Sequence, residues 1–313
     1  MLHKWWGIVH KAQIAQLVLV PGDGYAACMS VDGRSMPVRA PASSLISPSR
    51  LLLVVASLVG LAGFLYPFLL PAVSQSASTD AAHADDAPLL VALVTAFAIA
   101  AVLVAISEDH TGASRSRVIA LLGVLVAIDA TLRLVPTVLG ASPVFLLIML
   151  VGAVFGASFG FQMGALTILL SAVLTGGMGP WLPYQMLGAA WIGLTAGWLP
   201  RGGGERRRLV TLAIFGAAWG LLFGALLNLW FWPFSAPGVG EAGSIYWTPG
   251  LSFGETVERY ARFYLVTSLG FDLFRAAGNV VLVLVLGGPI LRLLERYRRR
   301  FSWEPWEAID EEP

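Results

Sequence analysis

The chain has 313 residues, 57% hydrophobic and 12% charged, with 34 glycines, 11 tryptophans and a net charge of +1; its mean hydropathy is +0.75. A soluble domain carries about a quarter charged residues, so this balance excludes a soluble enzyme and a disordered chain. The absence of a basic face outside short loops excludes a nucleic-acid binder, and a single cysteine, Cys28, excludes a disulfide scaffold and a thiolate zinc or iron–sulfur centre. What remains is a multi-pass protein of the plasma membrane.

Residues 1–50 read as a cytoplasmic leader. Trp5 and Trp6 open it, no sustained amphipathic period follows, and Pro21-Gly22-Asp23-Gly24 interrupts its apolar run. Met36 offers an alternative start that would leave an ordinary short leader. A helix crossing the hydrocarbon core needs about 20 apolar residues. Charge-free runs at 51–72 and 88–107 give two spans, and 118–139 gives a third, interrupted by Asp129 and Arg133. From Leu134 to Pro200 no Asp, Glu, Lys or Arg occurs. Breaks at Gly140–Pro143, Gly156–Gly160 and Thr175–Pro180 divide that run into spans near 143–157, 159–175 and 182–199. Residues 209–232 supply a seventh span, and 258–294 an eighth that projects past the bilayer.

Lys and Arg fix the orientation. They occur in the leader (Lys4, Lys11, Arg34, Arg39, Arg50), at Arg115 and Arg117, at Arg201 and Arg206–Arg208, and in the tail from Arg292 to Arg300; loops 73–87 and 233–256 have none. Eight spans with both termini cytoplasmic put every basic loop inside. The expected fold class is all-α integral membrane. Its division is a leader (1–50), two additional transmembrane helices (51–112), a six-helix core (113–300) and an acidic cytoplasmic tail (301–313).

No reaction chemistry emerges. Gly156-Ala157-Ser158-Phe159-Gly160 spells G-x-S-x-G, but both flanks are membrane helices, and His3, His10, His83 and His110 all precede it in loops or the leader. No phosphate-binding G-x-x-x-x-G-K-[ST] and no metal-ligand cluster occurs. The chain is expected not to be an enzyme, to have no catalytic residues and to need no metal or cofactor.

Three other patterns are informative. Gly216, Gly220 and Gly224 recur every fourth residue, as do Gly152/Gly156, Gly160/Gly164 and Gly193/Gly197; helix packing accounts for most of them. Gly123 and Ala127 are singled out as a partner-docking face. Intramembrane ionisable groups are costly and mark function by default: Asp129 and Arg133 lie four apart on one helical face, the spacing of a pair within their own helix, and Tyr264, Ser268, Asp272, Arg275 and Asn279 form a stripe on the last span. The competing interpretation is a structural network in which Asp129, Arg133, Asp272 and Arg275 neutralise one another. The outer ends are aromatic and amide-rich, with Trp181, Tyr184, Gln185, Asn228, Trp232 and Trp247, a composition suited to a polar ligand's pocket as well as to an interfacial belt.

The segments Arg133–Pro143, Gly152–Gly164 and Leu174-Thr-Gly-Gly-Met-Gly-Pro-Trp-Leu-Pro-Tyr-Gln-Met186, with Asp272-Leu-Phe-Arg-Ala-Ala-Gly-Asn279 and the basic tail, resemble the substrate-binding S component of energy-coupling factor (ECF) transporters, in its actinobacterial form. The resemblance covers about 117–300. It implies a six-helix bundle that captures a vitamin-like molecule from outside, with a membrane T component and two cytoplasmic ATPases as partners. It also implies a pocket among 138–143, 176–185, 233–256 and the last helices, with Ser142, Trp181, Tyr184, Gln185, Asn228, Trp232, Trp247, Tyr264 and Ser268 as binding residues. Family members dock through small residues on the first core helix, where this chain has Gly123 and Ala127. The long outer loop and its tryptophans lean towards a corrinoid. The alternatives are an ion-coupled secondary transporter, against which the absence of an inverted repeat counts, and a non-transporting scaffold.

Overall fold

The computed structural model describes residues 17–19, 26–29, 35–38, 48–73, 96, 112–135, 142–235, 244–248 and 250–301. The chain forms two units, Met1–Ser47 and Pro48–Pro313. The first holds three short strands, β1 (Leu17–Leu19), β2 (Ala26–Met29) and β3 (Ser35–Val38), in an antiparallel sheet of order β1-β2-β3, with Leu17 opposite Cys28 and Met29 opposite Ser35. The leader thus adds strands to the all-helical expectation.

The second unit is helical throughout its described residues: α1 (Pro48–Val73), α2 (Gly112–Leu132), α3 (Val144–Phe155), α4 (Ala157–Thr175), α5 (Leu182–Ala196), α6 (Glu205–Phe231), a 3₁₀ turn (Trp232–Phe234), α7 (Phe253–Thr267) and α8 (Leu269–Phe301). Among the described residues, three stretches are long and apolar enough to cross a membrane, Ala157–Thr175, Glu205–Phe231 and Leu269–Arg299; Leu51–Leu65 and Val144–Phe155 are shorter apolar helices. The expected second span, 88–107, lies outside the described residues apart from Ala96, which is helical.

Helix α3 is the axis of the bundle. Every residue from Val144 to Val154 is buried, as a helix that is apolar all round requires, and α2, α4, α5, α6 and α8 pack around it. Its last carbonyls have no partner within the helix; Arg201 donates to Ala153 O at 3.2 Å and Arg298 to Val154 O at 3.0 Å. Gly156, at φ +105°, then turns the chain directly into α4, and left-handed Gly176 ends α4. The break expected at 156–160 therefore falls at its first residue, and the G-x-S-x-G match is a joint between two helices.

Two seams hold the remaining helices. Between α4 and α5, a Cβ on Gly160 would strike the Gly193 backbone, one on Gly164 the Ala189 carbonyl, and one on Gly197 the Ala157 backbone. Between α6 and α8, Gly216 faces Asn279, Gly220 faces Ala276 and Gly224 faces Asp272. Outward-facing Val54, Leu58, Ile119, Val124, Ile214, Leu222, Val281, Leu284 and Val285 are exposed, the apolar exterior that lipid requires.

The single span expected over 258–294 is two helices. Ser268 leaves helical geometry at φ −130°, and α7 starts with a capping box in which Ser252 and Glu255 satisfy each other's backbone N–H groups. Helix α7 buries only Phe263 and exposes a Glu258–Arg262 pair, so its sequence suits a surface helix. At the opposite end of α8, Arg292 pairs with Glu205 at 2.5 Å and Arg208 with Glu295, which ties that end to the start of α6.

Gly193→Ala should destabilise the detergent-solubilised protein by about 1–3 kcal/mol through overpacking against the Gly160 carbonyl. Gly123→Ala, which meets nothing within 4 Å, should stabilise it by about 0.5–1 kcal/mol; thermal unfolding of both variants checks the contrast. The Ser252 hydroxyl and N–H hold the Glu255 carboxyl below its ordinary value of 4.5. A lowered folded-state value means that the cap's contribution is complete above 4.5 and is lost as pH falls through the lowered value. Amide-exchange protection in the first turn of α7 should therefore fall in acid, and Glu255→Gln should remove that dependence.

Candidate functional site

Helix ends sort the polar residues. The arginine-rich end gathers the start of α6 and the C-terminal parts of α3 and α8. The other end gathers the residue after α2, the segment before α3, the end of α4, the start of α5, the end of α6 and the α7–α8 junction. All the described site candidates at helix ends fall there, in three groups.

The first group centres on Arg133, which donates to Ser171 Oγ at 2.8 Å and to Gln185 Oε1 at 2.7 Å. One turn deeper on α2, Asp129 is fully buried, neither carboxylate oxygen has a hydrogen bond of good geometry, and the Thr167 hydroxyl is its polar neighbour across the α2–α4 contact. The expected Asp129–Arg133 pair does not form. Helix α2 ends at Leu132, and Arg133, in the turn that follows, is drawn to Ser171 and Gln185 rather than back along the helix. Ser142, just before α3, is buried with an unpartnered hydroxyl.

The second group is aromatic. Tyr184 stacks on Trp230 at a centroid distance of 4.7 Å and an angle of 2°, with Phe64 edge-on to Tyr184 at 5.0 Å. Trp232, 1% exposed, donates to Ile245 O at 2.9 Å, meets Tyr260 edge-on at 5.2 Å and lies beside Phe68, which also contacts half-buried Trp247. Trp181 does not converge with them: it is 43% exposed at the N-cap of α5. Helix α1, expected outside the core, supplies Phe64 and Phe68, and Trp191 donates to its Ser57 at 3.1 Å.

The third group is the α8 stripe. Asn228 donates to Ser268 Oγ at 2.6 Å, and Tyr264 donates to Leu221 O at 3.4 Å. Arg275 pairs with Asp272 and also donates to Gly220 O at 3.2 Å, its guanidinium 5.5 Å from the Phe223 ring centre. Asn279 donates to Gly216 O at 2.9 Å. Asp272, Arg275 and Asn279 thus engage the bare glycine face of α6. The four-charge network expected across two helices reduces to the one pair Asp272–Arg275, and no other described cation reaches Asp129.

Gly123 and Ala127 lie together on the exposed face of α2. Sequence reasoning missed Ser171, Phe64, Phe68 and Tyr260 as neighbours of the candidates. For Ser171 a signal existed: Thr167 and Ser171 stand one turn apart on α4, matching Asp129 and Arg133 one turn apart on α2. Among the described residues no group of three His, Cys, Asp or Glu could hold a metal.

A family model for the substrate-specific component of ECF transporters matches residues 117–287, more than half of the chain. No curated protein and no solved structure matches it. The chain belongs to the ECF substrate-specific component family, whose members are transporter subunits of the plasma membrane that work with a T component and ATPases, and not enzymes.

Removing one partner of a buried ion pair strands a charge at a cost of about 3–5 kcal/mol, while removing both is milder. Asp272→Asn alone should therefore lower thermal stability more than Asp272→Asn combined with Arg275→Gln. The double-mutant cycle in detergent checks this order.

Proposed function

We propose that this substrate-specific component captures a vitamin-like small molecule at the end of the bundle opposite the arginine cluster and delivers it to a T component and two ATPases. The observation that carries this reading is the stacked Tyr184–Trp230 pair, with the amides of Gln185 and Asn228 close to it along the chain. Stacked rings beside amides suit a flat, partly polar ligand. Ser142, Tyr184, Gln185, Asn228, Trp232, Trp247, Tyr264 and Ser268 line the proposed site, and Trp181 stands at its exposed rim. The tryptophans favour a large ligand of the corrinoid type. An actinobacterial-type component with eight spans and both termini cytoplasmic accords with the basic loops. The exposed Gly123–Ala127 face, open at Gly123, suits close approach by a T-component helix.

Asp129 favours a second reading, ion-coupled transport, because a buried carboxylate without a cation is where such a transporter would bind its coupling ion. The capture reading expects Asp129→Asn to leave ligand affinity unchanged. Native mass spectrometry of the purified protein should show a co-purifying small molecule that disappears in the Gln185→Ala/Asn228→Ala double variant. A protein that stays empty after incubation with a vitamin panel would sink the capture reading, and uptake that persists without ATP but stops with an uncoupler would replace it with ion coupling.

A further inference from the structure

We infer that Arg133 is the anchor for an oxyanion, a carboxylate or phosphate group, on the captured ligand; this rests on the capture reading and assigns its substrate class. Arg133 is a half-buried cation whose partners among the described residues are the neutral oxygens of Ser171 and Gln185, and no described carboxylate lies within ion-pair distance of it. Of the other guanidiniums at this end, Arg275 has its carboxylate, and Arg259, on the surface helix α7, donates to Tyr246 O.

A guanidinium presents five N–H donors in a planar fork that matches an oxyanion. Two of Arg133's contacts fix the fork's position and leave donors available. A half-buried cation held by neutral groups keeps its full charge while losing part of its hydration, and an incoming anion would restore what was lost.

The surroundings are mixed in sign, with the buried Asp129 one turn away on α2 and the C-terminal ends of α2 and α4 on one side, and helix N-termini on the other. Gln185 fastens Arg133 to the first turn of α5, whose N-cap Trp181 makes no side-chain cap bond. Helix α3 also begins at this end, at Pro143, without a side-chain cap. Two helix N-termini direct their partial positive charge here, and the buried hydroxyl of Ser142, without a partner, sits beside the start of α3. Asp272 is the acid nearest this end on α8 and is already paired. The Tyr184–Trp230 stack adjoins Gln185, so a ligand held by its ring system there would bring a charged arm to Arg133.

The test uses the full-length protein in a phosphate-free maltoside micelle and matched ligand pairs that differ in one oxyanion: biotin and biotinamide, pantothenate and pantothenol, riboflavin phosphate and riboflavin, cobalamin with its nucleotide phosphodiester and cobinamide without it. Titration by calorimetry should find a pair whose charged member binds at least about tenfold more tightly, the worth of one charge-assisted contact. Arg133→Gln should erase that preference and Arg133→Lys should keep part of it, with melting of the ligand-free variants reporting whether they fold. The comparison of pair members on the unaltered protein needs no variant at all. An uncharged member binding as tightly as its charged counterpart overturns the anchor and leaves capture standing; a folded protein that binds no member overturns both. Were Arg133→Gln to lose co-purifying phospholipid while the pair preference persisted, the oxyanion would be a lipid headgroup and the ligand anchor would be wrong.

Discussion

Where α4 meets α5, and again where α6 meets α8, two backbones touch because one side of each contact has no side chain. In lipid there is no hydrophobic gain from bringing apolar helices together, so association depends on close packing and on the hydrogen bonds that closeness permits. The α4–α5 seam uses only the first, with Gly160 and Gly193 each filling the space where the other's Cβ would stand. The α6–α8 seam adds the second. Bare carbonyls at Gly216 and Gly220 become acceptors for Asn279 and Arg275, and Gly224 makes room for the Asp272 carboxylate. The polar stripe thereby gains backbone acceptors on the facing helix, while Asp272 Oδ2 and Asn279 Oδ1 remain buried without a hydrogen bond.

These seams leave the ends of the bundle to differ in character. At one end arginines are spent on structure, capping the carbonyls of α3 and pairing with Glu205 and Glu295. At the other, stacked rings, two amides and the guanidinium of Arg133, which has no carboxylate partner among the described residues, gather where α3 and α5 begin. Chain direction does not create this asymmetry, because α3, α5 and α8 begin at the second end where α2, α4 and α6 finish, so their dipoles offset; side chains create it, the arginines at the first end meeting the exposed carbonyls of α3.

Much of this was legible in the sequence. Charge-free runs located α1, α3, α4, α5 and α6, and the glycines at 156 and 176 marked true helix ends because only glycine adopts those backbone angles freely. What could not be read was rotation. Glycines every fourth residue on one helix and a polar stripe on another were both visible, but that they are two halves of one contact depends on how α6 and α8 face each other. The Asp129–Arg133 pairing failed for a local reason, since the helix expected to run to 139 ends at Leu132 and Arg133, in the turn after it, bonds Ser171 and Gln185 instead. The break at Ser268 was hidden because polar residues continue the helical spacing straight through it.

The clustering of indoles at one end has an optical consequence. Trp181, Trp230, Trp232 and Trp247 are four of the eleven tryptophans, and they differ in surroundings: Trp230 stacks on a tyrosine, Trp232 is sealed with its N–H bonded to a carbonyl, and Trp181 is exposed. Their emission is therefore spread in wavelength and in quenching, with the sealed and stacked members weighted towards the blue. A molecule that entered among these rings would change the colour and lifetime of the protein's own fluorescence, so occupancy of this end can be followed without attaching any dye.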